Sequence, residues 1–98
     1  MIIRIVRMHF TEEGAPLFLA LFEARKERIR NYSGCMHLEL WQDTGNPLVW
    51  YTYSYWDCEP SLEGYRLSDF FRETWAQTKA LFAEKAQAWS MSPKAVIG

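Results

Sequence analysis

The strand-like segment at residues 48–56 constrains the fold most, because five of its nine residues are aromatic. Aromatic and β-branched residues favour strands, in which alternate side chains point to opposite faces. One row of the segment consists of Val49, Tyr51, Tyr53 and Tyr55, and the other of Leu48, Trp50, Thr52 and Trp56. Both rows are apolar enough to require cover, so this strand is predicted to lie in a sheet with a packed layer on each face.

The preceding sequence predicts two strands and a helix. Ile2–Phe10 has apolar residues at both parities, which is typical of a central strand. Its interruption by Arg4 and other basic residues predicts that one end of one face is wet or lines a polar cavity. A helix follows with Pro16 in its first turn, an apolar face at helical spacing and Gly34 after its end. Alternation over residues 35–43 predicts a second strand, which a hairpin loop joins to the aromatic strand.

The sequence after the aromatic strand predicts a short helical turn at residues 60–67, a longer helix and a last strand. Ser68 is a suitable N-cap for the longer helix. Helical spacing continues from Phe71 to Phe82, so this helix is expected to extend past residue 80. Residues 89–97 alternate as a strand, and Pro93 indicates a sheet edge.

The βαββαβ order predicts a single domain over residues 1–98 with a ferredoxin-like α+β sandwich fold. In this fold the helices cover only one face of a four-stranded antiparallel sheet. With 49% hydrophobic residues, the chain has more apolar surface than a thin core absorbs. A homodimer through the open sheet face is therefore predicted. Either of the two rows of the aromatic strand could face the partner. We favour the arrangement in which the tyrosine row faces the partner and Trp56 faces the helices.

Charge and composition argue against several classes of function. The net charge of −1 gives no electrostatic basis for binding nucleic acid or an anionic membrane. The longest apolar run, residues 17–22, is far shorter than the roughly 20 residues that span a bilayer. Cys35 and Cys58 are expected to be too far apart for a disulfide, and no Cys/His cluster predicts a metal site. With no signal peptide recognisable, a cytoplasmic location is expected.

The element order and one local run resemble the antibiotic biosynthesis monooxygenase-like (ABM) family of dimeric α+β barrels. In that run Trp56 ends the third strand, Leu62 supplies an aliphatic residue, and Ser68 and Phe70 open the next helix. The family frequently has a histidine where this chain has Tyr65. The order of elements matches over essentially the whole chain.

The resemblance implies two kinds of chemistry. Some members are cofactor-independent monooxygenases that oxidise polyaromatic phenols with molecular oxygen. Others degrade haem with an Asn on the first strand, a Trp in the helical connection and a haem-ligating His. Here Tyr65 stands at that Trp, Trp75 at that His, and no Asn occurs in Ile2–Phe10. The haem pattern is therefore disfavoured, and no cofactor is predicted.

The candidate site is a cavity between the sheet and the second helical segment, suited to a small aromatic phenol or quinol. His37 and Tyr65 are the predicted catalytic residues, with His37 (or His9) as the base that removes the phenol proton. The predicted substrate-binding residues are Tyr53, Trp56, Arg66, Trp75 and Phe82. The alternative is a non-catalytic homodimer of the same fold that binds a small ligand or has a structural role, in which these aromatic residues are simply core.

Overall fold

The computed structural model describes the whole chain, Met1–Gly98, as two layers with helices on one face of a sheet. The elements in chain order are β1 (Ile2–Phe10), α1 (Gly14–Arg30), β2 (Cys35–Gln42), β3 (Val49–Trp56), α2 (Glu59–Arg66), α3 (Asp69–Lys79) and β4 (Phe82–Met91). The strands form one antiparallel sheet in the order β2-β3-β1-β4. The predicted ferredoxin-like α+β fold is confirmed. None of the helices has the length and apolar character needed to cross a membrane.

Strand β1 is central, as its apolar residues at both parities predicted. It pairs with β3 along one edge and with β4 along the other. Val6 lies opposite Thr52 of β3 and Ala88 of β4, so these three residues share the face of the sheet that the helices cover. Because β1 is hydrogen-bonded along both edges and has one face under the helices, it sets the register of β3 and β4.

The hairpin between β2 and β3 sets which row of the aromatic strand faces the helices. Asp43 shapes its loop, because its Oδ2 accepts hydrogen bonds from the backbone N–H of Gly45 and Asn46, both at 2.9 Å. The register that follows pairs Trp41 with Tyr51. The row that contains Trp56 packs against the helices, and the tyrosine row lies on the opposite, open face.

Two local features fix how α3 begins and how α2 approaches the turn before β2. Ser68 is the predicted N-cap of α3: its Oγ accepts from Phe71 N at 3.1 Å and donates to the carbonyl of Tyr65 at 2.6 Å. Gly34 has a φ of 88°, and a Cβ at this position would lie 2.3 Å from Cβ of Ser61. Only glycine accepts both the positive φ and the close approach of α2.

The last strand is where the prediction from the sequence was wrong. Helix α3 ends at Lys79, and β4 begins at Phe82 rather than at residue 89. The side chain of Phe82 packs on Phe10, with ring centroids 5.4 Å apart, and its backbone pairs with Phe10 across the sheet. Pairing with the open edge of β1 thus overrides the helical spacing of the sequence. Pro93 falls after the strand, not within it.

The core consists of two buried clusters between the sheet and the helices. One joins the β3 end to α2 and comprises Ile29, Cys35, Trp56, Leu62, Tyr65 and Phe70. The other joins β1 to the start of α1 and comprises Met8, Phe10, Ala15 and Phe18. Cys35 is buried in the first cluster and Cys58 is exposed, and both thiols are free. A cavity separates the two clusters.

Candidate active site

A cavity of about 330 Å³ lies between the helix-facing side of the sheet and the helices. Side chains of both core clusters form its walls, and 14 of its 21 lining residues are hydrophobic. This volume and this apolar character are typical of a small-molecule site. The cavity is therefore the main candidate for an active site.

Trp56 forms the end of the cavity floor and is completely buried. Its indole Nε1 donates a hydrogen bond of 3.0 Å to Oγ of Ser54, two residues earlier on the same face of β3. A buried indole N–H is usually paired in this way, although the buried Nε1 of Trp50 has no partner in this structure. The ring of Trp56 also stacks on that of Tyr65 from α2, with centroids 5.0 Å apart and planes at 27°. These contacts hold Trp56 in one orientation.

An aromatic wall from α2 and α3 stands opposite the sheet. Phe71 and Trp75, one helical turn apart, are stacked with centroids at 5.9 Å and planes at 11°. Tyr65 meets Phe71 edge-on at 5.1 Å. The wall thus offers both ring faces and ring edges to a flat aromatic ligand, which matches the preferred offset-stacked and edge-to-face geometries.

Tyr65 brings a phenol group to this wall. Burial raises its pKa above the usual value, and the nearby Cys35 and Tyr32 act in the same direction. Its hydroxyl makes no hydrogen bond within the protein; the hydrogen bonds of Tyr65 are made by its backbone. At neutral pH Tyr65 is therefore a protonated hydrogen-bond donor rather than a base.

Three arginines supply the charge of the cavity lining. Arg4 of β1 donates through Nη1 to Oγ of Ser90 at 2.9 Å, and Arg25 of α1 donates to Oγ1 of Thr74 at 3.0 Å. Arg66, at the end of α2, lies 3.4 Å from the carboxylate of Glu63. Burial lowers the pKa of Arg4, the charge of Arg66 lowers it further, and Glu63 acts in the opposite direction.

Four of the seven predicted site residues line the cavity, namely Trp56, Tyr65, Arg66 and Trp75. Phe82 lies behind the wall, where it meets Trp75 edge-on at 5.7 Å, and it does not line the cavity. Its predicted contact with substrate assumed that it lay on α3, whereas it opens β4.

The predicted placement of His37 and Tyr53 near the cavity was wrong, because both lie on the open face of the sheet. Nε2 of His37 lies 2.7 Å from Oε2 of Glu39, and the ring of Tyr53 stacks on Trp41 at 5.0 Å. His9 pairs with Glu84 and is also outside the cavity. No histidine or carboxylate is among the residues that line the cavity.

Arg4 and Arg25 were not selected as site residues from the sequence, although a signal was present. Arg4 shares its parity with Val6 and Met8, so a charge stands in the inward-facing row of a central strand. Arg25 likewise falls on the apolar face of α1. A charged residue on a core-facing row is rare unless it meets a partner or a cavity, and here it meets the cavity.

The sequence of residues 1–77 matches the family described as Antibiotic biosynthesis monooxygenase. The chain belongs to this family. The match runs from β1 through most of α3 and so includes the aromatic wall and the floor from β1 and β3. Membership supports a general monooxygenase-like function. None of the curated proteins matches the chain.

Solved structures similar to this ABM protein show the same fold. A structure named antibiotic biosynthesis monooxygenase has a TM-score of 0.89 and 17% identity, with 97% of this chain and 100% of that chain covered. A conserved protein from Methanosarcina mazei Go1 gives 0.88 and 22%, with 96% and 94% covered. A protein from Mycobacterium tuberculosis gives 0.89 and 16%, with 99% and 98% covered. At sequence identities of 16–22%, this similarity is evidence for a shared fold alone.

Proposed function

We propose that the protein is a cofactor-independent monooxygenase that oxidises a small aromatic phenol or quinol in the cavity between sheet and helices. The observation that carries the proposal is the cavity itself: about 330 Å³, apolar, walled by Tyr65, Phe71 and Trp75, within a chain of the ABM family. A flat ring would lie against this wall, and the surrounding apolar side chains would keep water away from the reacting atoms.

The proposed reaction balances without a cofactor. A ring carbon exchanges its C–H bond for a C=O bond, and the phenolic O–H becomes the second carbonyl of a quinone. One atom of molecular oxygen enters the ring, and the other leaves as water with the two hydrogens that the substrate gives up. The substrate thus supplies all the electrons that reduce oxygen, and no external reductant is needed.

The cavity lining supports activation of the phenol by cations rather than by a histidine base. The phenolic O–H must lose its proton before the ring becomes electron-rich enough to react with oxygen, and because no base lines the cavity this proton passes to water as the substrate enters. Arg66 is positioned to stabilise the phenolate oxygen by charge, and the protonated hydroxyl of Tyr65 to stabilise it by a hydrogen bond. A nearby positive charge lowers the pKa of a phenol. His37, on the other face of the sheet, has no part in this scheme.

We also propose that two copies pack through their open sheet faces. Trp41, Trp89 and Met91 are 38%, 44% and 46% exposed there, beside the row of three β3 tyrosines. An apolar surface of this kind on a single chain indicates an interface. A second copy offers a self-complementary surface around a two-fold axis.

Oxygen uptake with anthrone- and naphthol-like phenols tests the oxygenase proposal. Ala86→Phe places a ring in the cavity wall on β4 and should abolish most of the uptake. Ala76→Phe introduces the same side chain on the exposed surface of α3 and should leave uptake unchanged. His37→Ala should also retain activity. Equal uptake by the wild type and Ala86→Phe would remove the cavity from the reaction.

The second candidate function is ligand binding without oxidation. It is favoured by one observation, the lack of any histidine or carboxylate in the cavity lining that could act as a general base. This alternative predicts that phenols bind in the cavity, that Ala86→Phe blocks their binding, and that no oxygen is consumed by any variant.

A further inference from the structure

The charged residues that line the cavity are all positive, which favours a ligand with negative charge. The lining contains Arg4, Arg25 and Arg66 and no acidic residue, although the whole chain carries a net charge of −1. We propose that the cavity selects aromatic ligands bearing an ionised carboxylate, with Arg4 and Arg66 as the anion-binding pair. This inference rests on the cavity of the proposed function and assigns the class of ligand that it accepts.

Arg4 has unused N–H donors, and its position on β1 places it in the cavity lining. It lies in the inward-facing row of β1, and its side chain makes one hydrogen bond within the protein, from Nη1 to Oγ of Ser90. A guanidinium group has five N–H donors. Arg4 takes part in none of the four ion pairs of the chain. Most of its donors, and its charge, therefore remain available to a ligand.

Arg66 places a second positive charge close to Arg4. The repulsion between the two and the burial of Arg4 both lower the pKa of Arg4. Glu63 is the acid nearest to this pair, but its carboxylate is exposed and lies against Arg66 on the outside of α2. Arg66 already has Glu63 as a partner outside the cavity, whereas Arg4 has no carboxylate partner, and no acidic residue lies among those that line the cavity. A ligand anion between the two arginines would supply a counter-ion.

Arg25 adds to the positive field from the side of α1. It donates to Thr74, and its guanidinium carbon lies 5.8 Å from the centroid of the Phe70 ring. Like Arg4, it takes part in no ion pair. The charge excess is therefore a property of the cavity lining as a whole, and the pair Arg4 and Arg66 is its focus.

The geometry favours a carboxylate over a bulkier or neutral group. A carboxylate is planar and can accept two parallel N–H bonds from one guanidinium, so it can lie in the plane of an attached aromatic ring. The ring would then rest on the wall formed by Phe71 and Trp75, with its carboxylate directed at Arg4 of β1 and Arg66 at the end of α2.

Binding of the matched pair 2-naphthoate and 2-naphthamide tests this inference, because the two differ in charge and scarcely in shape. Calorimetry should give a dissociation constant for 2-naphthoate roughly tenfold or more below that for 2-naphthamide, as a charge-assisted hydrogen bond predicts. Arg4→Gln and Arg66→Gln should each reduce this ratio several-fold. Arg72→Gln, which removes an exposed arginine of α3, should leave it unchanged.

Several results would overturn the inference. Equal affinity for the two ligands in the wild type would do so without any variant, as would binding of neither. An unchanged ratio in both Arg4→Gln and Arg66→Gln would also do so, provided that both variants retain the wild-type circular dichroism spectrum. Arg66 is the last residue of α2 and its side chain is exposed, so its variant keeps the test valid should Arg4→Gln fail to fold.

Failure of this inference is distinguishable from failure of the proposed oxygenase. Tight binding of 2-naphthoate with no oxygen uptake on any phenol supports the anion site and ends the oxygenase proposal. Oxygen uptake with a neutral phenol, together with equal binding of the naphthoate and naphthamide, supports the oxygenase proposal and rejects the anion site. The two claims therefore stand on separate measurements.

Discussion

Tyr65 illustrates how a single residue combines packing and chemistry in this protein. Its ring meets Trp56, Phe71 and Tyr32 at centroid distances of 5.0, 5.1 and 5.2 Å, so it is part of the core. Its hydroxyl has no partner in the protein and belongs to a residue that lines the cavity. The aromatic character of the position could be foreseen from the sequence, but the protonation state depends on burial by residues distant in the chain.

The raised pKa of Tyr65 predicts a specific loss of stability at high pH. The unfolded chain releases this phenolic proton near a pH of about 10, whereas the folded protein retains it, so stability decreases as the pH rises above that value. The unfolding free energy of the wild type minus that of Tyr65→Phe should therefore fall by up to roughly 1.4 kcal/mol for each pH unit above the unfolded pKa. Urea unfolding from pH 8 to 11 measures it; a difference independent of pH would contradict the predicted burial effect.

At the scale of elements, the strands and caps were more predictable than the end of α3. Ser68 as an N-cap, the hairpin after β2 and the central position of β1 depend on local signals or on simple alternation. The start of β4 does not, because residues 80–88 contain good helix formers and the strand forms by pairing with the edge of β1. The residues of β3 that line the cavity were hard to predict for a similar reason. Both rows of β3 are aromatic, and only the β2–β3 register and the helix packing distinguish them.

Helix α2 offers a matched test of the core beneath the cavity. Leu62 is 4% exposed and lies in a buried cluster, whereas Leu67, just after the helix, is 59% exposed. Leu62→Ala should lower the free energy of unfolding by about 2–4 kcal/mol, and Leu67→Ala by less than about 0.5 kcal/mol. Both are measured by urea denaturation at one protein concentration. Similar losses for the two variants would mean that α2 does not pack on the sheet as described.

The whole molecule is a slab of 37 × 32 × 21 Å with helices on one side only. Its open face combines aromatic residues of β2, β3 and β4 with the central β1 residues Ile3 and Ile5. This surface was foreseen from the sequence because the helices are too few to cover both faces. Its detailed composition follows from the register, which sends His37 and Tyr53 to this side and away from the cavity.

The open face predicts a dimer that a single charge can dissociate. Trp89→Glu places a carboxylate on this face and should convert the protein to a monomer in sedimentation velocity measurements. Leu17→Glu changes an exposed residue of α1 in the same way and should leave the mass unchanged, since Leu17 is 58% exposed on the helical side. A wild type that sediments as a monomer at micromolar concentration would contradict the proposed assembly.

We propose that this cavity brings molecular oxygen to an aromatic substrate without a cofactor. The most direct measurement is mass spectrometry of the product formed under heavy-isotope-labelled oxygen by purified, metal-free protein. We expect a quinone that contains one heavy oxygen atom, with the other appearing in water, and no such product with Ala86→Phe. A product without heavy oxygen, or the absence of product above the uncatalysed rate for every phenol that binds, would contradict it.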